Sequence, residues 1–302
     1  MNGALRITEE EYFGTPDSLK SNPDLVFMVG LPRSGTTWLQ KLLGNHPDIG
    51  TAQESHLFNH FLGSQIDAWD RMISFEDGRG GIGVPAYQEE AEFLDMLHRQ
   101  VREVLSKSDE YETGSVFVEK TPDHIRHILD IQRVVPEARI ILVMREPADI
   151  IESMLSAGSG WGRHWAPGSI VSAIRLCYYF SRKAAADYKQ ADQSKIHIVQ
   201  YEDLKENTEG VLKNILRFIR VDASDDSVEQ MQNSRFELHR YGEFALKAGS
   251  TLVEEPEGFA RKKKGKLNLF QRMVIKSTIG KESFFRDIIA MDTSAKSLTS
   301  AK

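Results

Sequence analysis

Between residues 25 and 219, short β-prone apolar runs alternate with longer stretches of helical period, and this alternation restricts the fold more than any other feature. Residues 25–29 (LVFMV) form an apolar run that ends at Gly30, the mark of a buried strand. Residues 35–45 follow with Trp38, Leu39, Leu42 and Leu43 at helical spacing, and 89–106 repeat that period through Phe93, Leu94, Leu97, Val101 and Leu105. A strand is expected over 115–118 and a helix over 123–135, with Asp123 as its cap beside Pro122. Arg139–Met144 (RIILVM) is the clearest buried strand; 148–155 and 169–188 read as helices, Ile196–Gln200 as a strand and Thr208–Ile219 as a helix. Strands separated by helical crossovers pair in parallel, because each crossover returns the chain to the same sheet edge. The expected fold is therefore α/β, three-layered, with a mostly parallel central sheet flanked by helices. Ligands of such sheets bind beyond the carboxyl ends of the strands. The stretches from Gly30, Glu119 and Arg145 onward fall at those ends.

The rest of the chain narrows the class. Its 302 residues suffice for one large core, and no repeat or long linker divides them. A single domain over 1–302 is expected, with 1–22 an N-terminal extension and 293–302 a frayed tail. Residues 70–85 and 156–168 are glycine-rich and read as loops. Cys177, the one cysteine, excludes a disulfide framework and a cysteine-built zinc site. It shares a helical face with Ile170, Ile174 and Tyr178 and reads as a packed core thiol, not a nucleophile. No apolar run approaches the roughly 18 residues of a membrane span. Residues 1–11 lack the basic start and apolar stretch of a secretory signal, so a soluble, cytoplasmic protein is expected. Net charge is −6, unevenly spread: eleven of the 38 Lys/Arg but only three of the 44 Asp/Glu lie within 261–302. That basic end reads as a solvated helix or as a cationic flap over an anionic ligand, and the acidic body argues against nucleic acid as partner.

Gly30-Leu31-Pro32-Arg33-Ser34-Gly35-Thr36-Thr37 leaves a strand and enters a helix with the spacing of a P-loop. Glycines allow close backbone approach, and the first helical N–H groups face an anion along the helix dipole. Thr36, however, stands where an NTPase needs its lysine, and the cation sits inside the loop as Arg33. Such a loop suits a nucleotide with fewer phosphates. The strand end at Arg145 carries a second anion-binding pattern: Arg145 and Ser153, eight apart across a strand-to-helix turn, offer a charged fork and a hydroxyl.

These residues carry a resemblance. The PRSGTTW stretch resembles the 5′-phosphosulfate loop of sulfotransferases that use 3′-phosphoadenylyl sulfate (PAPS), on a P-loop nucleotide-kinase-like fold. The Arg145…Ser153 pair resembles that family's 3′-phosphate element. The resemblance implies cofactor-binding roles for Arg33, Ser34, Gly35, Thr36, Thr37, Trp38, Arg145 and Ser153, with Trp38 stacking on adenine. Gln200-Tyr201-Glu202-Asp203-Leu204 resembles the family's YEDL segment, whose tyrosine lies near the adenine. Ser234-Arg235-Phe236 resembles the segment completing that pocket, which implies Ser234 and Phe236. Lys264-Gly265, within the basic run 261–266, resembles the late Lys-Gly loop over the 3′-phosphate, but lacks the Asp-Trp that follows it in cytosolic members.

The same resemblance implies the chemistry. Sulfuryl transfer needs positioning, charge neutralisation and an activated acceptor hydroxyl. Arg33 takes the position of the cation on the leaving group, Lys120 that of the lysine on the transferring group, with Glu119 positioning it. Glu54, in Gln53-Glu54-Ser55-His56, matches the catalytic base of carbohydrate and tyrosylprotein enzymes, and His56 is the rival base. His56, Trp161, His164 and Trp165, together with Trp69, are expected to line the acceptor pocket, drawn from 58–89, 156–168 and 240–258. Asp123, His124 and His127 could suggest a metal, but no third convergent ligand is visible and the transfer needs none. The expected reaction moves a sulfuryl group from PAPS to a hydroxyl of a small-molecule or carbohydrate acceptor and releases adenosine 3′,5′-bisphosphate (PAP). The alternatives are a P-loop small-molecule kinase, disfavoured by the missing lysine, and a non-catalytic nucleotide-binding protein.

Overall fold

The computed structural model describes residues 22–74, 83–160, 162–233 and 267–279. Five strands, β1 (Asp24–Gly30), β2 (Ile49–Thr51), β3 (Val116–Lys120), β4 (Arg139–Met144) and β5 (Ile196–Gln200), form one sheet in the order β2-β3-β1-β4-β5. Every pairing is parallel, with Met28 opposite Lys120 and Gly30 opposite Val143. The helices of the described residues are α1 (Thr36–Leu43), α2 (Gly63–Ser74), α3 (Glu90–Leu105), α4 (Ile128–Val134), α5 (Pro147–Gly158), α6 (Ile170–Gln190), α7 (Tyr201–Glu206), α8 (Thr208–Ile219), α9 (Asp225–Asn233) and α10 (Leu269–Thr278).

The alternation along β1 explains the three layers. Leu25, Phe27 and Val29 point into one apolar cluster with residues of α2 to α6. Val26 and Met28 point into the other, with Leu39 and Leu43 of α1 and Leu212, Ile215, Leu216 and Ile219 of α8. A strand buried on both faces has to be apolar throughout, which is why β1 and β4 read as continuous runs. The resulting P-loop-like α/β architecture is the expected one. Because the sheet is all-parallel, the five strands deliver Gly30, Thr51, Lys120, Met144 and Gln200 to one edge.

Several local expectations are corrected. The stretch from Pro122 begins as a 3₁₀ turn, Pro122–His127, and only Ile128–Val134 is α-helical; Thr121, not Asp123, is the residue before the turn, with Pro122 at its first position. A proline there costs no hydrogen bond. Helix α2 continues to Ser74 inside the expected loop 70–85, and α5 runs to Gly158 inside the expected loop 156–168. Trp69, expected among the pocket residues, is buried in the core and stacks on Phe93 at 4.3 Å between ring centroids. Cys177 is buried, and desolvation pushes its thiol up to about 12, so it packs and does not react.

Candidate active site

The loop after β1 turns through two left-handed residues, Arg33 (φ 76°) and Gly35 (φ 106°). Gly35 sits just before α1, whose start no side chain caps, so the first-turn amides stay available to an anion. The glycine is required on steric grounds as well: a Cβ there would lie 2.4 Å from the Tyr201 ring. Ser34 is fully buried and its Oγ has no hydrogen-bond partner. A buried hydroxyl left orphaned at a helix start is a position an oxyanion would satisfy.

The second expected anion-binding pair lies against the first. Arg33 Nε donates to Ser153 Oγ at 3.0 Å, and Arg145 Nη1 donates to the Arg33 carbonyl at 3.1 Å. The Arg145 guanidinium lies 4.4 Å from the Tyr201 ring centroid, a cation–π contact, and its Nε is buried without a partner. Trp38 meets Tyr201 edge-on at 5.8 Å while resting on the α1–α8 apolar cluster. Trp38 therefore both packs and presents an aromatic edge. Arg33, Ser34, Gly35, Trp38, Arg145, Ser153 and Tyr201, spread over 169 positions of sequence, form one contiguous group. Thr36 is buried and Thr37 exposed at the start of the same helix. The orphaned Ser34 Oγ and Arg145 Nε, with the uncapped helix start, fit a nucleotide bearing two separate anionic groups.

A third group gathers at the ends of β2 and β3. Gln40 of α1 donates through Nε2 to Thr51 Oγ1 (3.0 Å) and to the Ala52 carbonyl (2.6 Å), while Thr51 Oγ1 donates to the Val118 carbonyl (2.7 Å). This pins the chain just before Glu54. Just after it, the Ser55 N–H and Oγ donate to Glu119 Oε1 at 3.1 and 2.8 Å, and the His56 N–H reaches Thr121 Oγ1 at 3.3 Å. Glu54 is thus held from both sides, and its carboxylate forms an ion pair with Lys120 Nζ. The Lys120 side chain is buried, whereas Glu54 and His56 reach the open side, 30% and 42% exposed. His56 Nε2 lies 3.5 Å from Glu54 Oε2.

Glu119 does not touch Lys120 as a partner; it anchors the segment that carries Glu54. Its carboxylate is buried and also accepts from Thr121 Oγ1 (2.6 Å) and from His124 Nδ1 (3.0 Å). The Phe58 N–H donates to His124 Nε2 at 3.1 Å, which leaves the ring proton on Nδ1 facing Glu119. Burial pushes the Glu119 carboxyl up, but the His124 ring and the hydrogen bonds from His124, Thr121 and Ser55 outweigh it and hold it down at about 2. The neighbouring Asp123 carboxyl is pushed up by burial, against the pull of Arg126 and His56. His124 is committed to Glu119, and His127 Nδ1 to Asp130 at 2.8 Å, so the two imidazoles serve different partners. Among the described residues no cluster of three metal-ligating side chains forms.

His164 and Trp165 are exposed in the turn after α5. Trp161, Ser234, Phe236, Lys264 and Gly265 lie outside the described residues, as do 240–258 and the basic run 261–266. Gln40, Ser55 and Thr121 are site-building residues that sequence reasoning passed over, and His124 is a fourth, considered there only as a metal ligand. The signal for Thr121 was its place two residues from Glu119 beyond a buried strand, and His124 lies five from Glu119 on the same side; Gln40 carried none, because its partners Thr51 and Ala52 lie on another element.

A profile of the sulfotransferase family matches residues 23–225, two thirds of the chain, from the start of β1 into α9. Protein-tyrosine sulfotransferase 1 of Danio rerio is 25% identical over 215 residues, 70% of this chain and 57% of that protein. Nodulation protein NoeE of Sinorhizobium fredii is 32% identical over 147 residues, 46% of this chain and 32% of that one. The sulfotransferase domain of the Synechococcus PCC 7002 olefin synthase has a TM-score of 0.52 at 20% identity, over 85% of this chain and 94% of that chain, and shares the fold. The chain spans about half the length of the curated relatives it matches. The profile takes in both anion-binding elements and the Glu54–Lys120 pair, and the chain belongs to the sulfotransferase family.

Proposed function

We propose that the protein transfers a sulfuryl group from PAPS to an acceptor hydroxyl. The observation that carries this reading is the contact between the two anion-binding elements: Arg33 to Ser153 at 3.0 Å and Arg145 to the Arg33 carbonyl at 3.1 Å. One adenosine with phosphates on its 3′ and 5′ oxygens requires two such elements side by side, with an aromatic group between them for the base. Arg145, Ser153 and Tyr201 are assigned to the 3′-phosphate and adenine side. Arg33, Ser34 and the amides of Gly35, Thr36 and Thr37 are assigned to the 5′ side, where the sulfuryl group is attached.

The transfer asks little covalent chemistry of the protein. Arg33 and Lys120 meet negative charge that grows on the bridging and sulfuryl oxygens as the sulfur–oxygen bond breaks. Glu54 takes the proton of the attacking hydroxyl as the new oxygen–sulfur bond forms, and PAP leaves. Lys120 approaches from the buried side and Glu54 from the open side, an arrangement that separates donor from acceptor. The acceptor is assigned to small molecules or carbohydrates, on the side where Glu54 and His56 are exposed. No helix among the described residues is long and apolar enough to cross a membrane.

The test is a screen with labelled PAPS against sugars, phenols, alcohols and tyrosine peptides, read by product mass. A product heavier by one sulfuryl group, formed by the native chain and lost in Arg33→Ala, is expected. A chain that binds PAP yet sulfates no acceptor would place it among non-catalytic nucleotide binders. Greater thermal stabilisation by Mg·ATP than by PAP would favour a kinase.

A further inference from the structure

We propose that His56 is a positioning residue for the Glu54 base, with Asn59 fixing its tautomer; the inference rests on the assignment of Glu54 above. His56 stands at the entrance of a π-helical stretch, Leu57–Leu62, with a left-handed backbone (φ 53°) that only a strongly held non-glycine residue keeps. Its N–H is tied to Thr121 Oγ1, and the next two residues are fixed as well, Leu57 N–H on Ser55 Oγ (3.3 Å) and Phe58 N–H on His124. The wide π turn brings Asn59 back over the imidazole, with Asn59 Nδ2 3.2 Å from His56 Nδ1. With Asn59 Nδ2 as the donor, Nδ1 accepts and the ring proton resides on Nε2; Asn59 Oδ1 is then buried without a partner. Nε2 is the nitrogen that faces Glu54 Oε2, at 3.5 Å. The His60 ring backs the imidazole at 5.3 Å between centroids.

The Glu54 carboxylate is therefore bracketed: Lys120 Nζ from β3 on Oε1, and His56 Nε2–H on Oε2. The titratable groups facing this pair are Lys120 from β3, Asp123 from the turn after it, with Arg126 and His124 acting on Asp123 in turn, and His60 from the π turn. A donor aimed at the second oxygen does two things. It stops the carboxylate rotating about its last bond, and it favours the ionised form that a base must hold before it takes a proton. The 3.5 Å separation closes to a hydrogen bond with a small side-chain rotation, as catalytic contacts do when substrate arrives. His56 as the base itself fits less well, because the nitrogen that faces the site already bears the proton.

The inference can be tested without knowing the acceptor. The full chain, labelled with ¹⁵N-histidine and ¹³C-glutamate and saturated with PAP, would be titrated by NMR. The expected spectrum has His56 in the Nε2–H tautomer, with Nδ1 as acceptor, and Asn59→Ala mixes the two tautomers while leaving the His56 backbone untouched. In His56→Ala the Glu54 carboxyl titrates at a higher pH, by about half a unit or more, and His56→Gln, whose amide can donate, restores most of the shift. With an acceptor from the screen above, His56→Ala lowers kcat on the order of tenfold and leaves KM for PAPS unchanged. An Nδ1–H tautomer in the native chain, or a Glu54 titration that does not move in His56→Ala, overturns the proposal. Full turnover in Glu54→Gln with turnover lost in His56→Ala overturns it differently, by making His56 the base. Failure of the chain to bind PAP or sulfate any acceptor concerns the proposed function instead, and leaves the tautomer and titration to decide this one.

Discussion

At the residue scale, the side chains that hold Glu54 matter as much as Glu54. Glu119 accepts hydrogen bonds from Ser55, Thr121 and His124 in a site closed to water. Its carboxyl is held at about 2 against 4.5 for the free group, so folding favours its ionised form. The stabilisation, about 3 kcal/mol, is complete above pH 4.5 and is lost as the pH falls toward 2. Urea unfolding between pH 6 and pH 3 should show the native chain losing stability in that window, and Glu119→Gln should be less stable at pH 6 but nearly flat across it. A native chain with no loss below pH 4.5 would contradict the anchoring role. Gly35 offers a second residue-scale prediction. Alanine there meets a φ of 106° and the Tyr201 ring at 2.4 Å. The left-handed backbone alone costs about 1–2 kcal/mol. Gly35→Ala is expected to lower Tm by a few degrees, and a thermal double-mutant cycle with Tyr201→Ala to fall short of additivity, because the ring clash vanishes with the ring. Sequence could read Gly35 as part of a phosphate loop. It could not read that a tyrosine 166 positions later makes the glycine obligatory, nor that Glu119 grips Ser55 and leaves Lys120 to Glu54.

At the scale of elements, the long apolar strands and amphipathic helices were legible because their burial follows one period along one chain segment. Strands β1, β4 and β5 and helices α1, α3, α6 and α8 fall within a few residues of their expected places. Elements shaped by partners were not. Strand β2 is three residues long and exists by pairing with β3, so it leaves no alternation to detect. The stretch 57–74 hides its helix because a π-helical turn breaks the 3.6 period before Gly63. Helix α7 has six residues, too few for a pattern, yet its first residue is Tyr201. The joint between α1 and β2 gives a test at this scale. Gln40→Leu removes both hydrogen bonds that tie the end of β2 to α1 and strands the Ala52 carbonyl. The expected cost is about 1–3 kcal/mol in chemical unfolding, with PAP affinity unchanged and turnover reduced because Glu54 is no longer pinned on that side. An equal loss of PAP affinity would show that Gln40 serves the nucleotide loop instead.

At the scale of the molecule, an all-parallel sheet in the order β2-β3-β1-β4-β5 explains why residues from Arg33 to Tyr201 converge. With β1 in the centre, the loop after it is flanked by the ends of β3 and β4, and the outer strands add Glu54 and Tyr201. Arg33, Arg145, Ser153 and Tyr201 collect on the β1–β4–β5 half and the Glu54–Lys120 pair on the β2–β3 half, so in the proposed reading donor and acceptor meet over β1. This division rests on the two anion-binding elements serving one molecule. Calorimetric titration of the native chain and Arg145→Ala with PAP and with adenosine 5′-phosphate tests it directly. One PAP should bind per chain, at least about tenfold more tightly than adenosine 5′-phosphate, and Arg145→Ala should erase that preference while keeping the weaker ligand's affinity. PAP binding no tighter than adenosine 5′-phosphate, or a preference that survives the loss of Arg145, would contradict the account.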